Sequence, residues 1–217
     1  RRLNVPWNIY VLSKLLNINT CLYCNRQYTF TIESHPTKIT RPQFDHFFPK
    51  DSHPILALSF YNLIPSCSIC NGSAIKSNAE MPLTDYLHPY KDDFGNDGIF
   101  TWIPNNYKAL VGKSKELSVK ILEIPTSPKK QKIINQKKFF KIEEIYNEHS
   151  DYVQEMVLKA HITKGQYFIW LQKIFGNGIS KDELYRIALS NYIDEKEYDK
   201  RILSKLTGDL AKELNLL

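Results

Sequence analysis

Apolar residues at Ile9, Leu12, Leu15 and Leu16 recur at helical spacing, so "WNIYVLSKLLNI" predicts a helix that packs against the chain following it. From Asn25 the pattern changes to alternation. "NRQYTFTIE" is aromatic and β-branched and reads as a strand, "SHPTK" supplies a turn holding His35, and "KITRPQFDHFF" is a second extended segment that carries Asp45 and His46 near its end. "GSAIK" is expected to form a short helix bearing Lys76. Between Met81 and Pro104 two glycines and three prolines predict a loop ending in the strand "IFTWIP", an edge extension. "KELSVKILEIP" then alternates through Leu117, Val119, Ile121 and Ile124, as a half-buried strand should.

The remaining residues follow helical periodicity. From Gln131 to about Thr163, Ile142, Ile145, Tyr146, Tyr152, Val153, Met156 and Val157 fall on one face of a single long helix. "GQYFIWLQKIFG" is a second helix, Ser180 and Glu183 form a capping-box signature before "LYRIALSNYI", and Asp194 precedes "EKEYDKRILSKL". Four or five helices result, and no internal repeat or long linker separates them. The pattern therefore predicts an α+β protein, with residues 1–104 as one region and a mainly helical region over residues 105–217.

Composition bounds the class without naming it. At 217 residues, 42% hydrophobic and 24% charged, the chain has the make-up of a globular protein with a real core. No apolar run approaches the ~18 residues a bilayer span needs, and no secretory pattern opens the chain, so a cytoplasmic, non-membrane protein is expected. The first residue is Arg1 rather than Met, and native sequence is expected to precede it. The net charge of +6 is uneven, with +1 on residues 1–104 and +5 on residues 105–217. The excess is densest in "KKQKIINQKK", where Lys129, Lys130, Lys132, Lys137 and Lys138 occur without an acid. Such a run suits phosphate neutralisation by counterion release, and it equally suits a solvated helix face.

The cysteines change the picture more. All four fall in two pairs, Cys21 and Cys24 in "CLYC", Cys67 and Cys70 in "CSIC", with 42 residues between the pairs. Two residues between thiolates let both sulfurs of a knuckle meet one ion, and two knuckles complete a closed tetrahedral zinc site. A disulfide reading needs an oxidising compartment, and a redox reading needs only one pair. A closed four-thiolate site offers no open position to substrate, so this zinc is expected to hold the fold together. His53 and His88, each beside a proline, are expected at the surface and in a structural role, respectively.

Inside the loop closed by these cysteines stand Asp45-His46 and Asn62-Leu63; the second pair continues as Cys67 to Asn71, and Lys76 follows. In this order and approximate spacing they resemble the zinc-stabilised HNH endonucleases, the ββα-metal or His-Me finger nucleases, over about residues 18–78. The family often ends its motif on histidine, where this chain has Asn71, and the asparagine form also occurs. The resemblance implies phosphodiester hydrolysis. His46 would be the general base, since an imidazole is largely neutral at pH 7 yet takes a proton. Asp45 and Asn71 would be oxygen ligands to one Mg2+ or Mn2+, and Asn62 would hydrogen-bond backbone across the loop to keep His46 aimed. Lys76 would reach a substrate phosphate or stand as an exposed helix lysine, and the five lysines of the basic run are separate candidates for nucleic-acid contact on their charge.

"FDHFFPKDSHPILALSFYNLIPSCSICN" is similar, more narrowly, to the Septu-type HNH component of bacterial anti-phage systems, including those attached to retrons. That likeness implies a companion ATPase bound by the helical region and controlling access to Asp45, His46 and Asn71. Competing readings are an HNH nuclease of a mobile element, a restriction system or an RNA-directed toxin, and a zinc module that binds nucleic acid without cutting it. DNA is the expected substrate, although the sequence contains no base-reading element.

Overall fold

The structure, a computed structural model, describes residues 8–34, 37–164, 166–192 and 194–216. His35, expected in a hairpin turn, lies outside the described residues. The chain divides into two compact units: residues 1–81 with 199–202, and residues 82–198 with 203–217. The break at Met81 differs from the boundary drawn after Pro104, and strand pairing accounts for the difference, as described below.

In the first unit, α1 (Ile9–Leu16) starts on Asn8, whose side chain accepts from the backbone N–H groups of Tyr10 and Val11, and stops at Asn17 in the left-handed region. The strand expected over residues 25–33 is shorter than predicted. Thr20 and Tyr28 form one isolated bridge, and the paired strand is only β1 (Ile32–Ser34), antiparallel to β2 (Thr37–Thr40) with a register shift between Ile32 and Glu33. The second extended segment is interrupted at Arg41-Pro42, because proline has no N–H for a ladder. The chain resumes as β3 (Gln43–His46), antiparallel to β4 (Leu63–Ser66), with Asp45 opposite Ile64 and His46 opposite Leu63. Residues 199–202 belong here because Asp199 O accepts from Asn19 N and Thr20 Oγ1, both at 3.1 Å, while Arg201 O accepts from Asn25 Nδ2.

The expected short helix at "GSAIK" is not formed. Lys76 N–H bonds to Cys70 O and Ser77 N–H to Gly72 O, reaches of six and five residues that an α-helical ladder does not make. Ser77 at φ 43° turns the chain out of helical space.

In the second unit β5 (Gly98–Pro104) pairs antiparallel with β6 (Leu117–Glu123), from Gly98–Glu123 to Pro104–Leu117. β5 is thus one arm of a hairpin with β6, and this draws residues 82–104 into the helical unit. Between the arms lies the single turn α2 (Tyr107–Leu110), capped by Asn106. Leu117, Val119 and Ile121 alternate inward as predicted, and Phe100 stacks on Tyr146 with ring centroids 4.5 Å apart.

The single long helix predicted over 131–163 is three: α3 (Lys130–Phe139), α4 (Ile142–Asn147) and α5 (Ser150–Thr163). Lys141 at φ 52° makes the first break. The reward for breaking is that α4 reaches the outer edge of β6, where Asn147 Oδ1 accepts from Val119 N–H at 2.7 Å and Glu143 Oε1 from Ile121 N–H at 3.0 Å. A continuous helix would leave those edge donors unsatisfied. α6 (Tyr167–Phe175) follows, and α7 (Lys181–Leu189) carries the predicted capping box of Ser180 and Glu183. Asp194 caps only a tight helical turn over Glu195–Lys200, and the last helix, α8 (Ser204–Glu213), starts later than expected. Its Asp209 accepts from Phe100 N–H at 2.8 Å, closing the outer edge of β5. Among the described residues no helix is long and apolar enough to cross a membrane.

Gly112 permits a close backbone approach in this unit. It sits at φ 71°, and a Cβ placed there would lie 2.3 Å from the backbone nitrogen of Leu158 in α5. Gly112→Ala is therefore predicted to destabilise the protein by about 3 kcal/mol, read as a lower denaturant midpoint without a changed slope.

Candidate active site and four-cysteine cluster

The cysteines converge through two backbone turns. In the first, Asn25 N–H returns to Cys21 O at 2.8 Å, with Asn25 at φ 47°, a conformation asparagine tolerates better than most residues. In the second, Cys70 N–H points at Cys67 Sγ at 3.4 Å and Asn71 N–H at Cys67 O at 3.0 Å. All four thiols are buried, and their sulfurs lie within 4.8 Å of one another. Cys24 and Cys67 are 4.0 Å apart at sulfur, about twice the ~2.05 Å of a disulfide, and the cysteines are free.

The donor set fits a tetrahedral ion, whose ~2.3 Å bonds to sulfur imply sulfur–sulfur edges of ~3.8 Å. Burial pushes the Cys21 thiol well above its ordinary range. Hydrogen bonds among the thiols push Cys70 up as well and pull Cys67 down. Four thiols packed this closely can ionise together only around a cation, and the cluster could hold a zinc ion.

Beside the cluster, β3 alternates Asp45 inward and His46 toward a cleft. Asp45 is 3% exposed, and its Oδ2 accepts from the Tyr23 hydroxyl at 2.5 Å. Burial raises the Asp45 carboxyl above its ordinary value, opposed first by the Lys76 ammonium and then by the Tyr23 hydrogen bond. Burial, reinforced by the Asp45 charge, likewise pushes Tyr23 well above its usual range, so it stays a hydroxyl donor.

The loop from Phe47 to Asn62 is stitched to itself by Asn62. Its Oδ1 accepts from Phe48 N–H at 2.7 Å, and its Nδ2 donates to Phe48 O at 3.0 Å and Leu56 O at 3.1 Å. The loop then brings Ala57 O to within 3.0 Å of His46 Nε2. A carbonyl oxygen can only accept, so this contact assigns the proton to Nε2 and leaves Nδ1 with the lone pair in a neutral ring. Asn71 donates through Nδ2 to Gln43 Oε1 at 3.1 Å, an orientation that leaves its carbonyl oxygen as the remaining polar end.

Asp45, His46 and Asn71 line one cleft of about 240 Å³, together with Lys50, Ser73 and Ser77. Asn62 is buried and does not line it. The expectation for Lys76 is corrected: its side chain is 0% exposed, its ammonium donates to His46 O at 3.3 Å and Ala79 O at 2.8 Å, and it lies 4.0 Å from Asp45 Oδ2. Folded inward by the turns of residues 72–77, it engages backbone carbonyls through its ammonium rather than standing on an exposed helix.

Within the basic run, described in its own unit, Lys137 is also corrected. It bridges Glu123 and Glu143 and donates to Ile121 O, so its charge is already neutralised. Lys129 faces Asp92 at 3.8 Å, Lys132 is half-buried, and Lys130 and Lys138 are exposed. His53 is half-buried and meets Glu80 at 3.2 Å, whereas His88 is buried, with its Nδ1 accepting from Tyr90 N–H.

Sequence reasoning missed Tyr23 and Lys50. A tyrosine between two clustered cysteines must be buried, and its hydroxyl then needs a partner, which was a usable signal. Lys50, exposed on the loop that follows His46, offered none.

Comparison with known proteins is sparse. No family model matches the chain, and no solved structure matches it. Over 65 residues the chain is 37% identical to the Septu protein PtuB of Bacillus thuringiensis; the match takes in 29% of this chain and 23% of that protein.

A metal at the cysteines would tie Cys24 to Cys67 and so hold both knuckles. Cys67→Ser is predicted to lose that metal and to destabilise the first unit by several kcal/mol or more, on the order expected for a structural metal site. Hydrogen exchange should show this as lost protection in β3, β4 and both knuckles, with β5 and β6 still protected.

Proposed function

We propose that this chain is a metal-dependent HNH endonuclease that hydrolyses phosphodiester bonds, with DNA as its substrate, and that it serves bacterial anti-phage defence. The observation that carries the reading is the meeting of Asp45, His46 and Asn71 in one cleft, with His46 Nε2 tied to Ala57 O. Nδ1 is then the basic nitrogen at the cleft, suited to take a proton from an attacking water. Asp45 and the Asn71 carbonyl oxygen are hard donors that would hold Mg2+ or Mn2+. When bound, such an ion supplies positive charge to the phosphate oxygens and the leaving group.

The roles of the remaining residues follow. Asn62 holds the loop that fixes the His46 ring, and Lys76 braces the strand carrying Asp45 and His46. Lys50, exposed at the cleft, takes over the phosphate-neutralising part first given to Lys76. Zinc at the four cysteines is structural, because thiolates fill its tetrahedron. The defence role is supported by the partial identity with the Septu protein PtuB. A companion ATPase, implied by the family resemblance of the sequence, is the partner proposed for the helical unit. Lys130 and Lys138 are exposed cations in that unit, available to nucleic acid or to an acidic partner surface.

His46→Ala tests the reading. The parent should nick or break DNA with Mg2+ or Mn2+, and the variant should lose about 10^2 to 10^4 in rate while keeping its fold and cysteine-bound metal. Parent-like cleavage by the purified variant would overturn the assignment.

A further inference from the structure

Tyr23 occupies a position with two consequences. Its backbone lies inside the first cysteine pair, between Cys21 and Cys24, and its ring is buried with them. Its hydroxyl leaves that knuckle and donates to Asp45 Oδ2, the carboxylate that lines the cleft. A buried carboxylate with a fixed side-chain donor keeps one orientation; without that donor Asp45 keeps only its backbone hydrogen bond from His46 and the more distant Lys76 ammonium at 4.0 Å, which hold it less firmly. The hydrogen bond is therefore a direct physical link between the cysteine cluster and the cleft, spanning 22 residues of sequence.

We propose that Tyr23 is a positioning residue: its hydroxyl, anchored by the first cysteine knuckle, fixes the Asp45 carboxylate in the orientation that binds a divalent cation at the cleft. This rests on the nuclease reading above and deepens it. The role is distinct from packing. A purely structural Tyr23 contributes its ring, which phenylalanine reproduces, whereas a positioning Tyr23 contributes the one oxygen that phenylalanine lacks. Losing it frees the carboxylate to rotate toward Lys76 and weakens the cation site without touching His46 or the cysteines.

The test is Tyr23→Phe in the full chain, measured three ways: metal retained at the cysteines, Mn2+ affinity by the loss of the free-ion electron paramagnetic resonance signal, and cleavage rate against Mn2+ concentration. Expected are unchanged cysteine-bound metal, about 10-fold to 100-fold weaker Mn2+ binding, and a matching rise in the Mn2+ concentration for half-maximal cleavage. A variant that binds Mn2+ and cuts as the parent does overturns the inference and leaves the nuclease reading standing. A parent that neither binds Mn2+ in an Asp45-dependent way nor cuts overturns both. Should Tyr23→Phe fail to fold because the buried carboxylate has lost its donor, Tyr23→Phe combined with Asp45→Asn removes that charge and should recover the fold. A double variant no more stable than the single one contradicts the link.

Discussion

The convergence of four thiols is the constraint on which the first unit depends. Strands of four residues and a loop from Phe47 to Asn62 do not bury enough apolar surface to order themselves, and pairs of short strands are marginal alone. Bringing Cys24 to Cys67 closes a long loop in a single step, and Asp45, His46 and Asn62 lie inside it. Tyr23 travels with the first knuckle to Asp45, and Asn71 travels with the second to Gln43. Neither contact demands a large core. Both demand that the knuckles stay where the sulfurs put them.

Buried polar groups then do what apolar packing does elsewhere. Asn62 satisfies three backbone groups of the loop, and Lys76 satisfies two carbonyls beneath the cleft. The second unit applies the same logic to a different problem. Its two-stranded sheet has two outer edges, and side chains of flanking helices cap both: Asn147 and Glu143 on β6, Asp209 on β5. An isolated hairpin would expose those donors to any passing strand. Glu143 shows the electrostatic side of this. Burial alone would raise its carboxyl, but Ile121 N–H and the ammonium groups of Lys137 and Lys120 outweigh it and hold it below its ordinary value.

Residue patterns with a strong local cause were legible in the sequence. The cysteine pairs, the capping box of Ser180 and Glu183, the alternation of Leu117, Val119 and Ile121, and the grouping of Asp45, His46 and Asn71 could be read from spacing or motif order. Features decided by distant partners could not. The break of one long helix into α3, α4 and α5 depends on β6 needing donors capped, and no periodicity over 131–163 encodes that need. Lys76 read as a surface cation because lysine usually is one; turns at 72–77 fold it inward. β5 read as an appendage of the first region because its partner, β6, follows only after the turn of α2.

The most direct measurement of the central claim, that one cysteine cluster organises a separate cation-binding cleft, is anomalous X-ray scattering from crystals grown with Mn2+. The account predicts a zinc-edge peak centred among Cys21, Cys24, Cys67 and Cys70, and a distinct manganese peak between Asp45 and Asn71. A cysteine cluster without a metal peak, or manganese bound away from Asp45 and Asn71, would contradict it.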